Sequence, residues 1–392
     1  MKKCRLPKTV NVDVNFELNS VEVINILKRV DSVTRFSDSD DKLTHIHLLV
    51  GYQGDVFIIG RTPDTFVAHH VPAGKCDKDT VFNIDPTQLI GLLNKRGDVD
   101  LLFTGKEGQI VARQGKYKSD FKVRALSSEQ IPMVSEGLRH HTEGGHAMTR
   151  EVIDKLIQGI RLTRLKDPLT NAPVMCRVDC RGDELRISSP GNWTSAQYVA
   201  PLTNKTNKFR FSLTGEMFDL ITKFCGEEQV SFHADAVSFA AEADSFVVTL
   251  PPIQSNDEDY RYIDTLLSQL GKPLIGVVVK GDIGAPFANI ATLVEKKGNT
   301  KATVKLRKKE MRIKFSSDSG SAQDSLTLAK PVEKEFETSL DMRVMRDILR
   351  NIGKEERHAM GFHGPNIKEL KAFTLNYKQD THSLLYFGYI PA

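Results

Sequence analysis

The chain has 392 residues, 40% hydrophobic and 27% charged, enough to bury substantial cores. At about 100 to 200 residues per domain this length predicts two or three domains and argues against a single compact one. No stretch reaches the roughly 18 to 20 uninterrupted apolar residues of a membrane span, and the Met1-Lys2-Lys3-Cys4-Arg5 start leads into a charged, alternating segment without the apolar core of a signal peptide. A soluble intracellular protein is expected. Lys plus Arg exceed Asp plus Glu by 54 to 50, a surplus compatible with a nucleic-acid partner but too small to demand one. Five cysteines, Cys4, Cys76, Cys176, Cys180 and Cys225, are odd in number and scattered, which predicts reduced thiols and no disulfide framework.

In chain order, the first apolar stripe at helical spacing is Val23, Ile24, Leu27 and Val30, predicting a helix over residues 20–32. Alternating strands follow at His45 to Gly51 and Val56 to Arg61. A strand opening with Phe82 and Ile84 then runs into a helix carrying Leu89, Ile90 and Leu93. The same order recurs. A helix at 149–161 with Ile153, Leu156, Ile157 and Ile160 precedes a strand at Phe211 to Leu213 and a helix with Phe218, Ile221 and Phe224. A helix at 283–295 with Phe287, Ile290 and Val294 precedes strands at Thr303 to Arg307 and Met311 to Phe315. A strand from Phe336 and a helix with Val344, Met345 and Ile348 complete the third copy. The Phe-led strands start 129 and 125 residues apart, a repeat that divides the chain into three similar parts.

Two breaks read as linkers: Ile131-Pro132 through His146, with Gly137, Gly144 and Gly145, and Pro251-Pro252 through Asp259. The expected domains are 1–134, 147–254 and 260–392. Each reads helix, strands, helix, strands, so an α+β architecture is predicted, with two helices on one side of antiparallel sheets and the other side solvated.

At this level the sequence resembles the bacterial-type DNA polymerase sliding clamp, the beta subunit of the replicase, over essentially its whole length. Residues Phe82 to Leu126, with Arg113-Gln-Gly115 before Phe121-Lys-Val123, look like the second half of that family's first domain. Asp259-Tyr260-Arg261-Tyr262-Ile263 is similar to the Pro-Asp-Tyr-Arg-Arg-Val stretch between its second and third domains, and is the sharpest local match. Leu185 through Ser189-Pro190-Gly191-Asn192-Trp193-Thr194 occupies the place of its Asp-Gly-His-Arg-Leu loop and keeps only the Gly. The chain departs at its end, where Ile390-Pro391-Ala392 replaces the usual Met-x-x-Arg-Leu, and in its slight basicity where the family is acidic. Both departures point to a divergent branch, such as a virus-encoded clamp in an infected bacterial cell.

The resemblance implies a cytoplasmic homodimeric ring of three-domain chains, a DNA clamp fold that encircles duplex DNA without sequence specificity. It would tether a DNA polymerase as processivity factor, be placed by a clamp loader, and need no membrane, metal, cofactor or catalytic residue. Helix-borne cations expected to face the DNA are Lys28, Arg29, Lys95, Arg96, Lys155, Arg161, Arg164, Lys296, Lys297, Arg343, Arg346 and Arg350. The last three fall at i, i+3 and i+7 on one face opposite Met345, Ile348 and Leu349. A partner-peptide pocket carried over by position comprises Val174, Trp193, Thr194, Tyr260, Tyr262, Ile263, Tyr389 and Ile390. An aromatic-rich groove of this kind suits short peptides with hydrophobic anchors. Phe121 and Val123, with Leu293, are placed at the head-to-tail interface.

Other chemistry finds little support. His140, His141 and His146 are the densest histidines, but Thr-Glu-Gly-Gly among them reads as linker. Cys176 and Cys180 have no second pair for zinc, and His45 with His47 merely share a strand face. No Walker loop, dinucleotide fingerprint, Gly-x-Ser-x-Gly or His-Glu-x-x-His occurs. The alternatives to a replication ring are a clamp-fold regulator, such as a transcription co-activator, and a nuclease or hydrolase on an unrelated antiparallel scaffold.

Overall fold

A computed structural model of the chain describes residues 4–7, 14–34, 46–62, 65–93, 98–104, 109–114, 117–122, 126, 128, 130–142, 146–225, 229–232, 237–240, 246–250, 257–294, 299–318, 320–352, 357–379 and 381–390. Their elements run as six copies of one motif, a strand, a helix and three further strands. The first is β1 (Val14–Asn19), α1 (Ser20–Thr34), β2 (Ile46–Tyr52), β3 (Asp55–Arg61) and β4 (Phe66–Cys76). The second is β5 (Thr80–Asn83), α2 (Pro86–Leu93), β6 (Asp98–Thr104), β7 (Gln109–Gln114) and β8 (Tyr117–Lys122). After α3 (Gln130–Thr142) comes the third, β9 (His146–Ala147), α4 (Arg150–Thr163), β10 (Met175–Cys180), β11 (Glu184–Pro190) and β12 (Thr194–Pro201). The fourth is β13 (Phe209–Thr214), α5 (Gly215–Cys225), β14 (Gln229–Phe232), β15 (Val237–Ala240) and β16 (Phe246–Leu250). After α6 (Asp257–Leu270) the fifth is β17 (Ile275–Lys280), α7 (Gly284–Ala291), β18 (Lys301–Arg307), β19 (Glu310–Ser317) and β20 (Gly320–Leu328). The sixth is β21 (Phe336–Asp341), α8 (Met342–Asn351), β22 (Arg357–His363), β23 (Ala372–Lys378) and β24 (Ser383–Tyr389). The Phe-led strands of the sequence repeat are those that open the second, fourth and sixth motifs.

The strand-to-helix step in most motifs is made by a short polar cap. Asn19 Oδ1 accepts from the backbone N–H groups of Val21 and Glu22, and Asp85 Oδ1 from those of Thr87 and Gln88, with Pro86 in the first helical turn. Thr149 Oγ1 takes the N–H of Val152, Asp282 that of Gly284 and Asp341 that of Arg343. Each cap satisfies a donor that the first helical turn leaves without an intrahelical partner.

The described residues form two compact units. One contains Met1–Ile153 with Met217–Pro252, the other Asp154–Glu216 with Ile253–Ala392. Each unit is organised on one 12-stranded sheet, and every strand pairing is antiparallel. The two motifs of each third exchange their leading strands. β1 pairs with β6 while β5 pairs with β2, β9 with β14 while β13 pairs with β10, and β17 with β22 while β21 pairs with β18. Neither motif of a third completes its sheet without the other.

The breaks read from sequence as linkers are in large part helical. α3 runs through Ile131-Pro132, which its first turn tolerates because a proline there removes no intrahelical hydrogen bond. Gly137 is no hinge: a Cβ there would stand 2.1 Å from Cδ2 of Phe66, so glycine lets α3 close on β4. Val134 and Leu138 pack with Ile46, Leu48, Val50, Phe57, Ile59, Phe66 and Ala68. α6 likewise begins at Asp257, inside the second expected linker. Both helices correct the expectation that one side of every sheet is solvated. α1 packs on β3 and β4 while α3 covers their other face, so β2 is buried on both sides. In β12, Tyr198 donates to Gln158 of α4, whereas its neighbour Gln197 donates to Asp264 of α6. Successive strand residues point to opposite faces, so this sheet too is enclosed between two helices.

Candidate functional site

The carried-over pocket residues all belong to the second unit. Trp193 sits in the tight turn between β11 and β12, closed by the Gly191 N–H donating to the Thr194 carbonyl at 2.9 Å. A Cβ on Gly191 would lie 2.4 Å from that oxygen, so only glycine fits, and Val174 Cγ2 stands 3.4 Å from the same point. The turn leaves the indole 39% exposed and buries Thr194 to 1%. Thr194 Oγ1 has no hydrogen-bond partner among the described residues.

β24 pairs with β12, setting Thr194 opposite Gly388, and the Tyr389 N–H donates to the Trp193 carbonyl at 3.1 Å. The end of β24 is therefore fixed against the indole-bearing turn. Tyr389 is half-buried and packs edge-on to Phe387, ring centroids 4.9 Å apart. Burial, and then the neighbouring Tyr262, push its phenol above the ordinary tyrosine value. Ile390 is half-buried and its N–H donates to the Lys371 carbonyl.

α6 lies over β10, β11 and β12 and is anchored by Asp264, which accepts from Arg186 at 2.9 Å and from Gln197 at 3.3 Å. Ile263 is 2% exposed and serves the packing of the helix, whereas Tyr262 beside it is 37% exposed. Tyr260 falls within α6, with its side chain outside the described residues. The arrangement gathers Val174, Trp193 and Thr194 at one turn and Tyr389 with Tyr262 beside it. Their exposed aromatic surface can take an apolar side chain.

Sequence reasoning passed over Leu169, which is 58% exposed. It rides on a loop after α4 in which Asp167 accepts the N–H groups of Leu169 and Thr170 and the Thr170 hydroxyl. These bonds, the Thr170 N–H first, hold the Asp167 carboxyl below its ordinary range. An Asp followed three residues later by Thr is the local signature of such a turn.

The cations expected to face DNA differ in exposure and in their contacts. Lys28 and Arg29 are exposed on α1, opposite buried Val23, Ile26, Leu27 and Val30. Arg161 and Arg346 are exposed as well. Lys155 is half-buried, its ammonium donating to the Pro201 carbonyl. Arg164 shares the Glu216 carboxylate with Lys166, at 3.5 and 3.1 Å. Arg343 is clamped by Asp341, Nη2 to Oδ2 at 2.6 Å. Burial pulls the Asp341 carboxyl upward, but the Arg343 side chain and N–H, with Thr300, outweigh it and hold it below its ordinary value. Arg350 lies in α8 with its side chain outside the described residues; Lys95, Arg96, Lys296 and Lys297 lie outside them altogether.

Of the expected interface residues, Phe121 falls on β8, the terminal strand of its sheet's path, with its side chain outside the described residues, and Val123 lies outside them. Leu293 is half-buried just after α7, its N–H donating to the Ile290 carbonyl. Segment 140–146 holds His140 and His141 at the end of α3 and His146 at the start of β9. Among the described residues no group of His, Cys, Asp or Glu is placed to hold a metal.

No protein-family model matches the chain, and no curated protein matches it by sequence. Solved structures do match its architecture: it has the DNA clamp fold. The DNA polymerase sliding clamp from Bacillus subtilis aligns with a TM-score of 0.72 at 13% identity, over 97% of this chain and 100% of that one. The beta subunit from the DNA polymerase of Streptococcus pyogenes aligns at 0.69 and 13%, over 96% and 99%. The DnaN sliding clamp from Pseudomonas aeruginosa bound to griselimycin aligns at 0.68 and 13%, over 97% and 100%.

Proposed function

We propose that this protein is a non-catalytic DNA sliding clamp, a processivity factor that tethers a replicative polymerase to duplex DNA. The observation that supports this most is the six-motif chain matching a sliding clamp over 97% of this chain and 100% of that one. In this reading the domains are 1–134, 147–254 and 260–392, and two chains close head to tail through the edge bearing Phe121 and Val123 and the region of Leu293. The cations on α1, α4 and α8, foremost Lys28, Arg29, Arg161 and Arg346, meet phosphates without reading bases. The groove at Trp193, Tyr262 and Tyr389 receives the apolar anchors of polymerase and loader peptides. A closed ring makes release depend on opening an interface, so weak contacts with DNA suffice for long residence.

The test is topological. Protein loaded onto nicked circular DNA is expected to remain after gel filtration and to be lost once the circle is cut to a linear form with free ends. Equal retention on both forms rules encirclement out. Sedimentation of the free protein supplies the companion measurement, expected at about twice the 43.8 kDa chain mass.

A further inference from the structure

Of the three four-stranded sheets that begin each third, two are covered on the face away from their motif helices, the first by α3 and the second by α6. Among the described residues no helix covers that face of the third, formed by β21, β18, β19 and β20. Along β18 and β19 exposure alternates strictly: Ala302, Val304, Leu306, Met311, Ile313 and Phe315 are at most 1% exposed, with α7 packed on β19, and the residues between them face solvent. Those residues are mainly cations. Residues 301–314 contain seven Lys and Arg and a single carboxylate, Glu310, whereas the chain as a whole holds 54 cations and 50 carboxylates. The remainder of the chain therefore carries more carboxylates than cations.

We propose that the solvent face of β18 and β19 is a second nucleic-acid contact surface, one that takes the sugar-phosphate backbone of DNA on the side of the sheet opposite α7. Lys305 and Arg312 stand directly opposite each other on neighbouring strands, an arrangement of like charges that weakens a sheet unless an anion lies across it. Each borrows one carboxylate, Glu337 at 2.8 Å and Glu310 at 3.1 Å, and Arg307 takes Glu335 at 3.4 Å. Lys308, Lys309 and Lys314 are exposed and form no ion pair among the described residues. Lys308 also has φ of 50° in the turn between β18 and β19, a left-handed conformation that glycine or asparagine adopts more readily.

The neighbouring side chains identify the partner. Thr303, Gln323, Ser325 and Ser339 fill the face between the cations, offering hydrogen-bond donors suited to phosphate and sugar oxygens. Among the described residues the large exposed apolar side chains Val21, Ile131, Leu169, Trp193, Tyr262 and Leu274 lie off these strands, and only Val278 on β17 borders the face, beside β20. A protein interface of useful affinity has an aromatic or apolar centre, and a surface that stacks single-stranded bases needs aromatic rings. Among the described residues β18 and β19 present no aromatic ring and no apolar centre on this face, so it holds backbone phosphates and is indifferent to sequence.

The experiment measures fluorescence anisotropy of a short blunt-ended duplex over a salt series from about 50 to 200 mM. Such a duplex cannot retain a ring, so the result is independent of encirclement. The triple variant Lys308→Gln, Lys309→Gln, Lys314→Gln is expected to bind roughly tenfold more weakly at the low-salt end, with the salt slope reduced by about 1 per lysine. The matching Lys-to-Arg triple variant should restore both. Unchanged affinity and slope in the Gln variant overturn the proposal. So does a Gln variant that keeps its DNA affinity but loses binding to phosphatidylserine–phosphatidylcholine vesicles, which would assign the face to a membrane surface. Melting curves of both variants are expected to match wild type, because exposed lysines contribute little to folding.

Discussion

At the residue scale, the side chains that define the site combine local chemistry with exposure. Trp193 is held at a turn that its own backbone fixes through Gly191 and Tyr389, so truncating the indole removes contact surface without loosening the fold. Trp193→Ala is expected to weaken clamp-binding peptides by about 1 to 3 kcal/mol in calorimetry, with melting unchanged. Normal peptide affinity would move the docking site away from this turn. Asp341 plays a structural part through one carboxylate that caps α8 and grips Arg343. Its folded-state value is depressed, so it contributes stability that is fully present above the ordinary carboxylate range and is lost as pH falls through the folded value. Asn caps a helix about as well as Asp. Asp341→Asn should therefore melt slightly lower at neutral pH, and its deficit against wild type should shrink as the medium is acidified. A deficit that stays constant down to the acid limit would show that the charge contributes nothing.

At the scale of elements, the informative contrast lies between α3 or α6 and the six motif helices. The motif helices announce themselves by apolar stripes and by Asn, Asp or Thr caps at the end of a strand. α3 and α6 carry proline, glycine and acidic residues that read as breaks, yet they form because each has a sheet face to cover. Leu138 of α3 is 4% exposed within a cluster that includes Val134, Ile59 and Phe66. Leu138→Ala is expected to destabilise the first unit by about 2 to 5 kcal/mol, measured by denaturant unfolding. A loss below about 0.5 kcal/mol, typical of surface sites, would mean that α3 merely rests on the sheet.

At the scale of the whole molecule, the exchange of leading strands makes every third an interlocked pair of motifs, so a single motif has no complete sheet of its own. Non-local pairings such as β1 with β6 and β17 with β22 tie distant segments together, and topology of this kind folds slowly. Charge is distributed unevenly over this frame, with cations on helices α1, α4 and α8 and again on the bare face of β18 and β19, and carboxylates in excess elsewhere.

The sequence by itself determined the threefold repeat, the alternation of helix and strands, the α+β class and the positions of the six motif helices. Each of these rests on periodicity and capping, which act over a few residues and need no knowledge of what lies opposite. Resemblance proposed Trp193, Tyr262 and Tyr389 for a peptide pocket, but nothing in the sequence announced the pairing of β12 with β24 that brings Trp193 and Tyr389 together. Tertiary structure alone decided that Gly137 is a point of close approach, that α3 and α6 bury sheet faces expected to be wet, and that Lys155 and Arg343 are engaged within the protein while Lys28 and Arg346 are exposed. The physical reason is shared by all of these: burial and pairing depend on which surfaces meet across long stretches of chain, and a side chain carries no local mark of the neighbour it will find.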